Sequence, residues 1–428
     1  MEQHEHNHHK TLEADLLVVG AGIAGLTSAL EAAETGFRVI LIEKNSYIGG
    51  RVAQLNEYFP KMCPPTCGLE INIKRLKDNK NIQLFTLTEV KSVTGEAGNY
   101  KVKIKQKPRY VKDEASESEL LKATEKLTST IQNAFNFGLD KIKPLYIAYN
   151  NAYPQKYVLE KNACTEEELN YLSEHFNHCI DLNQTEETLE LNVKAIIWAS
   201  GWQPYDAKKL ETLGFGIYKG VITNMLLERL AAPNGPTNGK IEIPDYNKEI
   251  KRVAFVQCAG SRDENHLEYC SSICCLATMK QAKYIREQLP ETEIYIFYID
   301  IRSPGILEDL YTEAKEDSKI HFQRGKVAKV IINNETDKLI VEAENTLTGI
   351  LTQTEVDLVV LATGMQAIAQ LNDFPDLTLI DDNGFIRTDK ASSIIGCGVA
   401  TGPKEVASTV QDATGAVMKA IHIIKGGK

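Results

Sequence analysis

The stretch from Asp15 to Glu43 limits what this chain can fold into more than any other. Asp15–Val19 (DLLVV) is a short apolar run of strand type, and Gly20-Ala21-Gly22-Ile23-Ala24-Gly25 follows it directly. A helical pattern then covers Leu26–Thr35, and a second strand, Arg38–Ile42, ends at Glu43, 23 residues after Gly20. A lone GxGxxG says little. Strand, glycine turn, helix, strand and acid in this order spell a Rossmann unit that binds a dinucleotide. Gly20 permits the tight turn, Gly22 lets the backbone approach a pyrophosphate, and Gly25 lets the helix lie close on the strand. The helix N-terminus, with Ile23 and Ala24, supplies N–H groups and a positive dipole end to the phosphates. Glu43, with Lys44 beside it, would accept hydrogen bonds from ribose hydroxyls and repel a 2′-phosphate.

Further along, Gly49-Gly50-Arg51 matches the glycine doublet that extends FAD-type sites, so Gly50 and Arg51 join the candidate cofactor contacts. Val90, in the expected strand Glu89–Val93, is placed to meet adenine through its backbone. Two later segments repeat one theme: Ala195–Gly201 (AIIWASG) and Leu358–Gly364 (LVVLATG) are apolar strands ending in a small residue, then Ser or Thr, then Gly. Such strands mark returns of the chain to the FAD domain, which makes Gly364 a candidate contact. Between them Val253–Gln257, Ser271–Leu289 and Glu293–Ile301 read as strand, helix and strand, and Lys326–Glu344 as a hairpin. The expected fold is α/β: a two-dinucleotide-binding-domain flavoprotein of the thioredoxin and glutathione reductase type. Ile394–Ala420 fits a second FAD-contacting segment through Gly398. Flavoproteins of this fold usually carry Gly-Asp there, but Val399 follows Gly398, so the ribityl contact lacks its usual acid. The inner domain has Cys258-Ala259-Gly260-Ser261-Arg262-Asp263 where a second phosphate loop would stand, which argues against a pyridine-nucleotide reductase.

Four of the nine cysteines lie in the spacing Cys258-x11-Cys270-x3-Cys274-Cys275. Iron–sulfur clusters need four soft thiolates converging on one point. The spacing places Cys258 at a strand end, Cys270 at or before a helix start and Cys274 with Cys275 in its first turns, with Cys270 and Cys274 on one helical face. The readings are a [4Fe–4S] cluster, a zinc site, whose common ribbons this spacing does not match, or no metal. Cys63-Pro-Pro-Thr-Cys67 is a second pair: a redox dithiol, extra ligands or two inert thiols. Cys164, Cys179 and Cys397 have no partner by spacing and read as packing residues.

The net charge of −10 over 428 residues argues against nucleic acid as a partner. No run approaches the ~18–20 apolar residues that span a bilayer. The first residues, MEQHEHNHHK, are polar rather than signal-like, so a cytoplasmic location is the expectation. Residues 1–12 read as a disordered His-rich tail, 13–111 and 345–428 as the FAD-binding domain, and 112–192 as a charged, mostly helical surface insertion. Residues 193–344 read as a return strand, a loop and a second βαβ domain carrying the cysteines.

At Val18–Gly25, Ile48–Leu55, Phe59–Gly68, Pro108–Val111, Cys258–Asp263, Tyr269–Ala282 and Gly402–Glu405 the chain resembles the flavoprotein (A-type) subunits of heterodisulfide reductases. The resemblance covers most of the chain outside 112–192. It implies FAD and a [4Fe–4S] cluster ligated by Cys258, Cys270, Cys274 and Cys275. Relatives in methanogens carry a ferredoxin insertion after the Pro108–Val111 equivalent, whereas Val111 here leads into a Cys-poor segment. A short form of that kind resembles the A-type branch of quinone-interacting membrane-bound oxidoreductase complexes. That resemblance implies electron exchange between the quinone pool and adenylylsulfate (APS) reductase. The protein would then be peripheral on the inner face of the cytoplasmic membrane, held by iron–sulfur and cytochrome-containing partners. The alternatives are the A-type component of the heterodisulfide reductase-like complex of sulfur oxidisers, or a stand-alone NAD(P)H-dependent disulfide reductase using Cys63 and Cys67.

Overall fold

A computed structural model describes residues 11–59, 62–246, 248–368, 380–387 and 394–426. Eight helices are used below: α1 Ile23–Glu34, α2 Thr66–Asp78, α3 Glu117–Lys126, α4 Glu166–His175, α5 Asn224–Ala231, α6 Cys274–Gln288, α7 Glu308–Glu316 and α8 Val406–Ile424. The first layer is a parallel five-stranded sheet in the order Ile394–Gly396, Ala195–Trp198, Leu16–Val19, Val39–Ile42, Ile82–Phe85. Its central strands are apolar on both faces because both faces are covered. On one side α1 and α8 pack through small side chains, among them Ala29, Ala33, Ala413 and Ala420. On the other lies a four-stranded sheet ordered Thr11–Glu13, Glu187–Val193, Asn99–Gln106, Thr88–Glu96. In Asn99–Gln106, Tyr100, Val102 and Ile104 are buried while Lys101, Lys103 and their neighbours face out, the period of a strand with one wet face.

The second parallel sheet runs Val221–Thr223, Leu358–Thr363, Arg252–Ala259, Glu293–Tyr298, Ile320–Arg324. Side chains of α5, α6 and α7 cover one face, and an antiparallel trio (Val327–Asn333, Lys338–Asn345, Ile350–Val356) covers the other. The two halves therefore form the expected pair of dinucleotide-type domains. The short strands Trp202–Pro204 and Met365–Ala367 pair antiparallel just beyond the two repeated segments, where the chain passes between the halves.

Several sequence expectations are corrected. Residues 1–10 of the expected tail lie outside the described residues, but Thr11–Glu13 is a strand paired in parallel with Glu190–Asn192. Leu358–Thr363 does not join the first sheet; it hydrogen-bonds to both Val221–Thr223 and Arg252–Ala259. The second half therefore extends past residue 344. Residues 112–192 are not mostly helical. Two ten-residue helices, α3 capped by Ser116 and α4 closed by the Thr165/Glu168 capping box, stand among turns and two-residue strands. Glu187–Val193, at the end of that segment, belongs to the four-stranded sheet. Among the described residues no helix is long and apolar enough to cross a membrane.

Candidate functional site

The main cavity, about 1100 Å³, begins at the first glycine turn and runs between the halves to α5 and α6. Of the sequence-derived candidates, Gly20, Gly22, Ile23, Ala24, Glu43, Lys44, Gly50, Arg51 and Val90 line it. Gly20 has φ +98, and a Cβ there would fall 2.4 Å from the Ala199 carbonyl oxygen. A Cβ on Gly25 would lie 1.8 Å from the Gly20 oxygen, so Gly25 serves helix packing beneath the wall. Gly22 differs: a Cβ there meets nothing nearer than the Gly50 Cα at 3.8 Å. No side chain among the described residues caps α1 and no acid lies in its first turn, which leaves its first N–H groups to an anion. Glu43, 6% exposed, accepts from Ala21 N at 2.9 Å through Oε2, and from Asn45 N and Nδ2 at 2.9 and 2.8 Å through Oε1. Burial raises its pKa, and these hydrogen bonds oppose that rise. An uncapped helix start above an open glycine turn, with an acid held rigidly at the next strand end, fits the phosphate and ribose ends of FAD.

Two candidates lie off the wall. Gly364 packs against the Ser261 and Ser271 hydroxyls, with a Cβ position 2.2 Å from Ser261 Oγ, and so supports the cysteine loop rather than the cavity. Gly398 sits behind the wall, while its neighbours Cys397 and Val399 reach it.

The sequence reading missed part of the remaining wall, which includes Tyr47 and Phe135, and the layer packed behind it. Phe135 and Tyr149 of the supposed surface insertion stack at 4.4 Å, and Tyr47 meets both rings edge-on at 5.6 and 5.4 Å. Arg229, fully buried, lies 4.6 Å over Phe135 and donates to Asn136 Oδ1 (2.9 Å) and the Gln54 carbonyl (3.2 Å). Burial pushes its pKa down to about 10. The insertion thus forms part of the cavity, a placement that its polar composition concealed. At the far end Lys280 and Glu228 face each other from α6 and α5 with 2.9 Å between Nζ and Oε1. The available signal was a charged residue on an otherwise inward helical face.

The four clustered cysteines are neighbours beside this end. Cys258 adopts φ +55 where the strand Arg252–Ala259 slips register, which turns it out of the ladder. Cys274 and Cys275 open α6, and Cys270 precedes it in a loop, so Cys270 and Cys274 do not share a helical face. Left-handed Ser272, φ +59, bends that loop, and Ser272 N donates to Cys270 Sγ at 3.3 Å. Burial, then the nearby Cys275 and Cys270, push the Cys258 thiol up to about 11, although Arg262 beside it acts the other way. Burial, then Cys258, Cys275 and Cys270, raise Cys274 well above the usual thiol range. Cys258, Cys274 and Cys275, all raised, would ionise together only around a cationic centre. Among the described residues no three His, Cys, Asp or Glu side chains gather as ligands to a single ion. Gln257, next to Cys258 in sequence, and Thr278, one turn after Cys274, keep buried polar atoms without partners among the described residues. One helix links the two sites: α6 begins with Cys274 and Cys275 and lines the cavity with Ala277, Lys280 and Gln281.

Cys63 and Cys67 stand as thiols rather than a disulfide, with Cys67 exposed at the start of α2. Burial, then Cys67 and Cys63, raise the pKa of Tyr58, a cavity residue, so the pair lies beside the cavity rim.

Residues 18–79 match the family of NAD(P)-binding Rossmann-like domains. The chain is 36% identical over 98% of its length to an iron-sulfur A-type subunit of the CoB–CoM heterodisulfide reductase of Methanopyrus kandleri, of which it covers 66%. It is 33% identical over 97% of its length to the A-type subunit of the ferredoxin/F420H2-dependent CoB-CoM heterodisulfide reductase of Methanosarcina acetivorans, of which it covers 54%. The chain thus spans less than two thirds of the length of these relatives. The fold is similar to that of T. acidophilum thioredoxin reductase, with a TM-score of 0.53, 15% identity, and 97% and 98% of the two chains covered. With this fold and relatives aligned over nearly all of its residues, the chain is heterodisulfide reductase A-like over the part of those subunits that it spans.

Proposed function

We propose that the chain is the electron-carrying flavoprotein of a heterodisulfide reductase-like complex. It would hold FAD in the main cavity and a [4Fe–4S] cluster at Cys258, Cys270, Cys274 and Cys275. The observation that carries this reading is α6, whose first turn bears two of the thiols and whose next turns line the cavity. When bound, FAD supplies exchange between two-electron and one-electron transfer, and a cluster accepts single electrons.

The chain's own groups bind and orient. The α1 N-terminus and Gly22 receive the pyrophosphate, and Glu43 takes the adenosine ribose. Val90 offers backbone to the adenine, and Gly50 with Arg51 closes over the turn. Tyr47 and Phe135, backed by Tyr149, exclude water from one wall. Lys280 and Glu228 keep a neutralised pair of charges in the dry far end, and Arg262, tied to Asp300, stands beside Cys258. The partners are the other redox subunits of such a complex, and any membrane contact runs through them.

The quinone and APS reductase link is a second, finer reading. It rests on the Cys-poor segment after Val111, where Cys164 and Cys179 are the only thiols before residue 192. The test is anaerobic purification of the tagged chain from its own cells, with FAD, iron and acid-labile sulfide counted and co-purifying subunits identified. Bound FAD, iron with sulfide, and heterodisulfide reductase-like subunits are expected. A diheme membrane protein together with APS reductase would favour the second reading. A lone, iron-free chain would defeat both.

A further inference from the structure

The C-terminal segment of the first domain lacks the usual acid after Gly398, yet a charged network stands in that place. Asp412, reaching back from α8, accepts from Gly398 N at 2.7 Å and from Thr401 Oγ1 at 3.3 Å through Oδ2. Lys404 Nζ donates to the same oxygen at 3.0 Å and to Thr401 Oγ1 at 2.8 Å. The Lys404 side chain is 21% exposed and forms part of the cavity wall. Its neighbour Glu405 also lines the cavity, but that carboxylate is spent on the start of α8, accepting from Ala407 N and from Ser408 N at 2.6 Å.

The position of this network matters. Gly398 has φ +64, and a Cβ there would lie 2.7 Å from the Ala24 Cβ in the first turn of α1. The segment that Asp412 and Lys404 tie together is therefore pressed against the turn whose uncapped N–H groups receive an anion. Two of the three Lys404 ammonium donors are used by Thr401 and Asp412, which fix its direction, and one remains for a ligand. A carboxylate at the usual position would accept from ribityl hydroxyls. An ammonium beside α1 instead complements a doubly negative pyrophosphate.

We propose that Lys404, oriented by Asp412 and Thr401, is the cationic anchor of the FAD pyrophosphate, replacing a ribityl-binding acid with a phosphate-binding base. This inference rests on the reading that the cavity holds FAD.

The test uses full-length protein stripped of flavin, with Lys404→Met, Lys404→Gln and Lys404→Arg beside the wild type. Binding of FAD is followed by flavin fluorescence, and ADP and adenosine are measured as competitors. Lys404→Gln keeps polar contacts to Thr401 and Asp412, so it isolates the loss of charge. Both neutral variants should bind FAD about tenfold to a hundredfold more weakly, the scale of one hydrogen bond to a charged group. Their affinity should depend less on ionic strength, and Lys404→Arg should stay near the wild type. ADP should lose affinity in step with FAD while adenosine does not. Unchanged FAD and ADP affinity in a folded Lys404→Gln protein would overturn the inference, as would equal losses for ADP and adenosine. A wild-type chain that takes up no FAD at all is a distinct result, and it removes the functional reading along with this one.

Discussion

Lys280 of α6 and Glu228 of α5 form an ion pair 2.9 Å long whose side chains are only 3% and 2% exposed. Glu228 also accepts from Asn56 N at 2.9 Å and Gln281 Nε2 at 2.7 Å, so the pair ties the first half's cavity wall to two helices of the second. Glu228→Leu alone strands a buried ammonium and should lower stability by about 3–5 kcal/mol. Combined with Lys280→Met it should cost much less than the two single changes added together. Urea unfolding of all four proteins checks this, and strictly additive losses would show that the pair is not coupled.

Gly22 and Gly25 should separate binding from folding. Gly22 has φ −73, which any residue adopts, and its missing side chain points into open space. Gly22→Val should therefore fold yet purify without yellow colour. Gly25→Ala places a methyl within 1.8 Å of the Gly20 carbonyl oxygen and should destabilise the domain itself. Flavin absorbance per chain and thermal melts read the two effects. Full flavin content in Gly22→Val would mean that the phosphate turn is misassigned.

Cys270→Ser and Cys274→Ser should each lower iron by about four atoms per chain, the content of one [4Fe–4S] cluster. FAD should be retained, because the glycine turn belongs to the other sheet. Cys164, whose Sγ meets only the Glu160 carbonyl at 3.9 Å among the contacts described, is the control. Cys164→Ser should alter neither iron nor flavin. Iron assay and flavin absorbance on the same anaerobic samples decide the outcome, and unchanged iron in Cys274→Ser counts against the ligand set.

Neither NADH nor NADPH should bleach the flavin. A Cβ on Gly260 would lie 2.6 Å from the Tyr205 ring, so that ring covers the loop where a second pyrophosphate would rest. Arg262 in the same loop is committed to Asp300. Anaerobic mixing followed at the flavin absorbance band tests this. Rapid bleaching by either nucleotide would transfer the assignment to a stand-alone reductase.

Glu168 should make the cavity-lining insertion acid-sensitive. Burial alone would raise its pKa, but hydrogen bonds from Ser129, Thr165 and Thr128 overcome this and hold it at about 2. A lowered folded-state pKa gives stability that is complete above the ordinary glutamate value of about 4.3. That stability is lost as the pH falls toward 2. Wild-type melting temperature should drop across this window, and Glu168→Gln should start lower and drop less. Parallel slopes in the two proteins would remove Glu168 as the cause.

Local features were legible without a structure wherever the physics is local. The glycine spacing and flanking apolar runs specify the first strand, turn and helix, because φ preferences and short-range periodicity act within about a dozen residues. The hairpin at Lys326–Glu344 and the strand–helix–strand of the second half were legible for the same reason. So was the clustering of Cys258, Cys270, Cys274 and Cys275, although not the bend that frees Cys270 from α6.

What the sequence by itself determined is a chain with one intact dinucleotide turn, a second domain of the same type without one, and a thiol cluster at the altered position. Only the tertiary structure decided that Leu358–Thr363 pairs in the second sheet while the similar Ala195–Trp198 pairs in the first. It alone placed Phe135 in the cavity wall with Tyr149 stacked on it, brought Glu228 to Lys280, and set Lys404 beside α1. The physical reason is that an apolar strand carries no label naming its neighbour, and a charge carries no record of the partner that will neutralise it. Both choices follow from which surfaces exclude water together once distant segments meet.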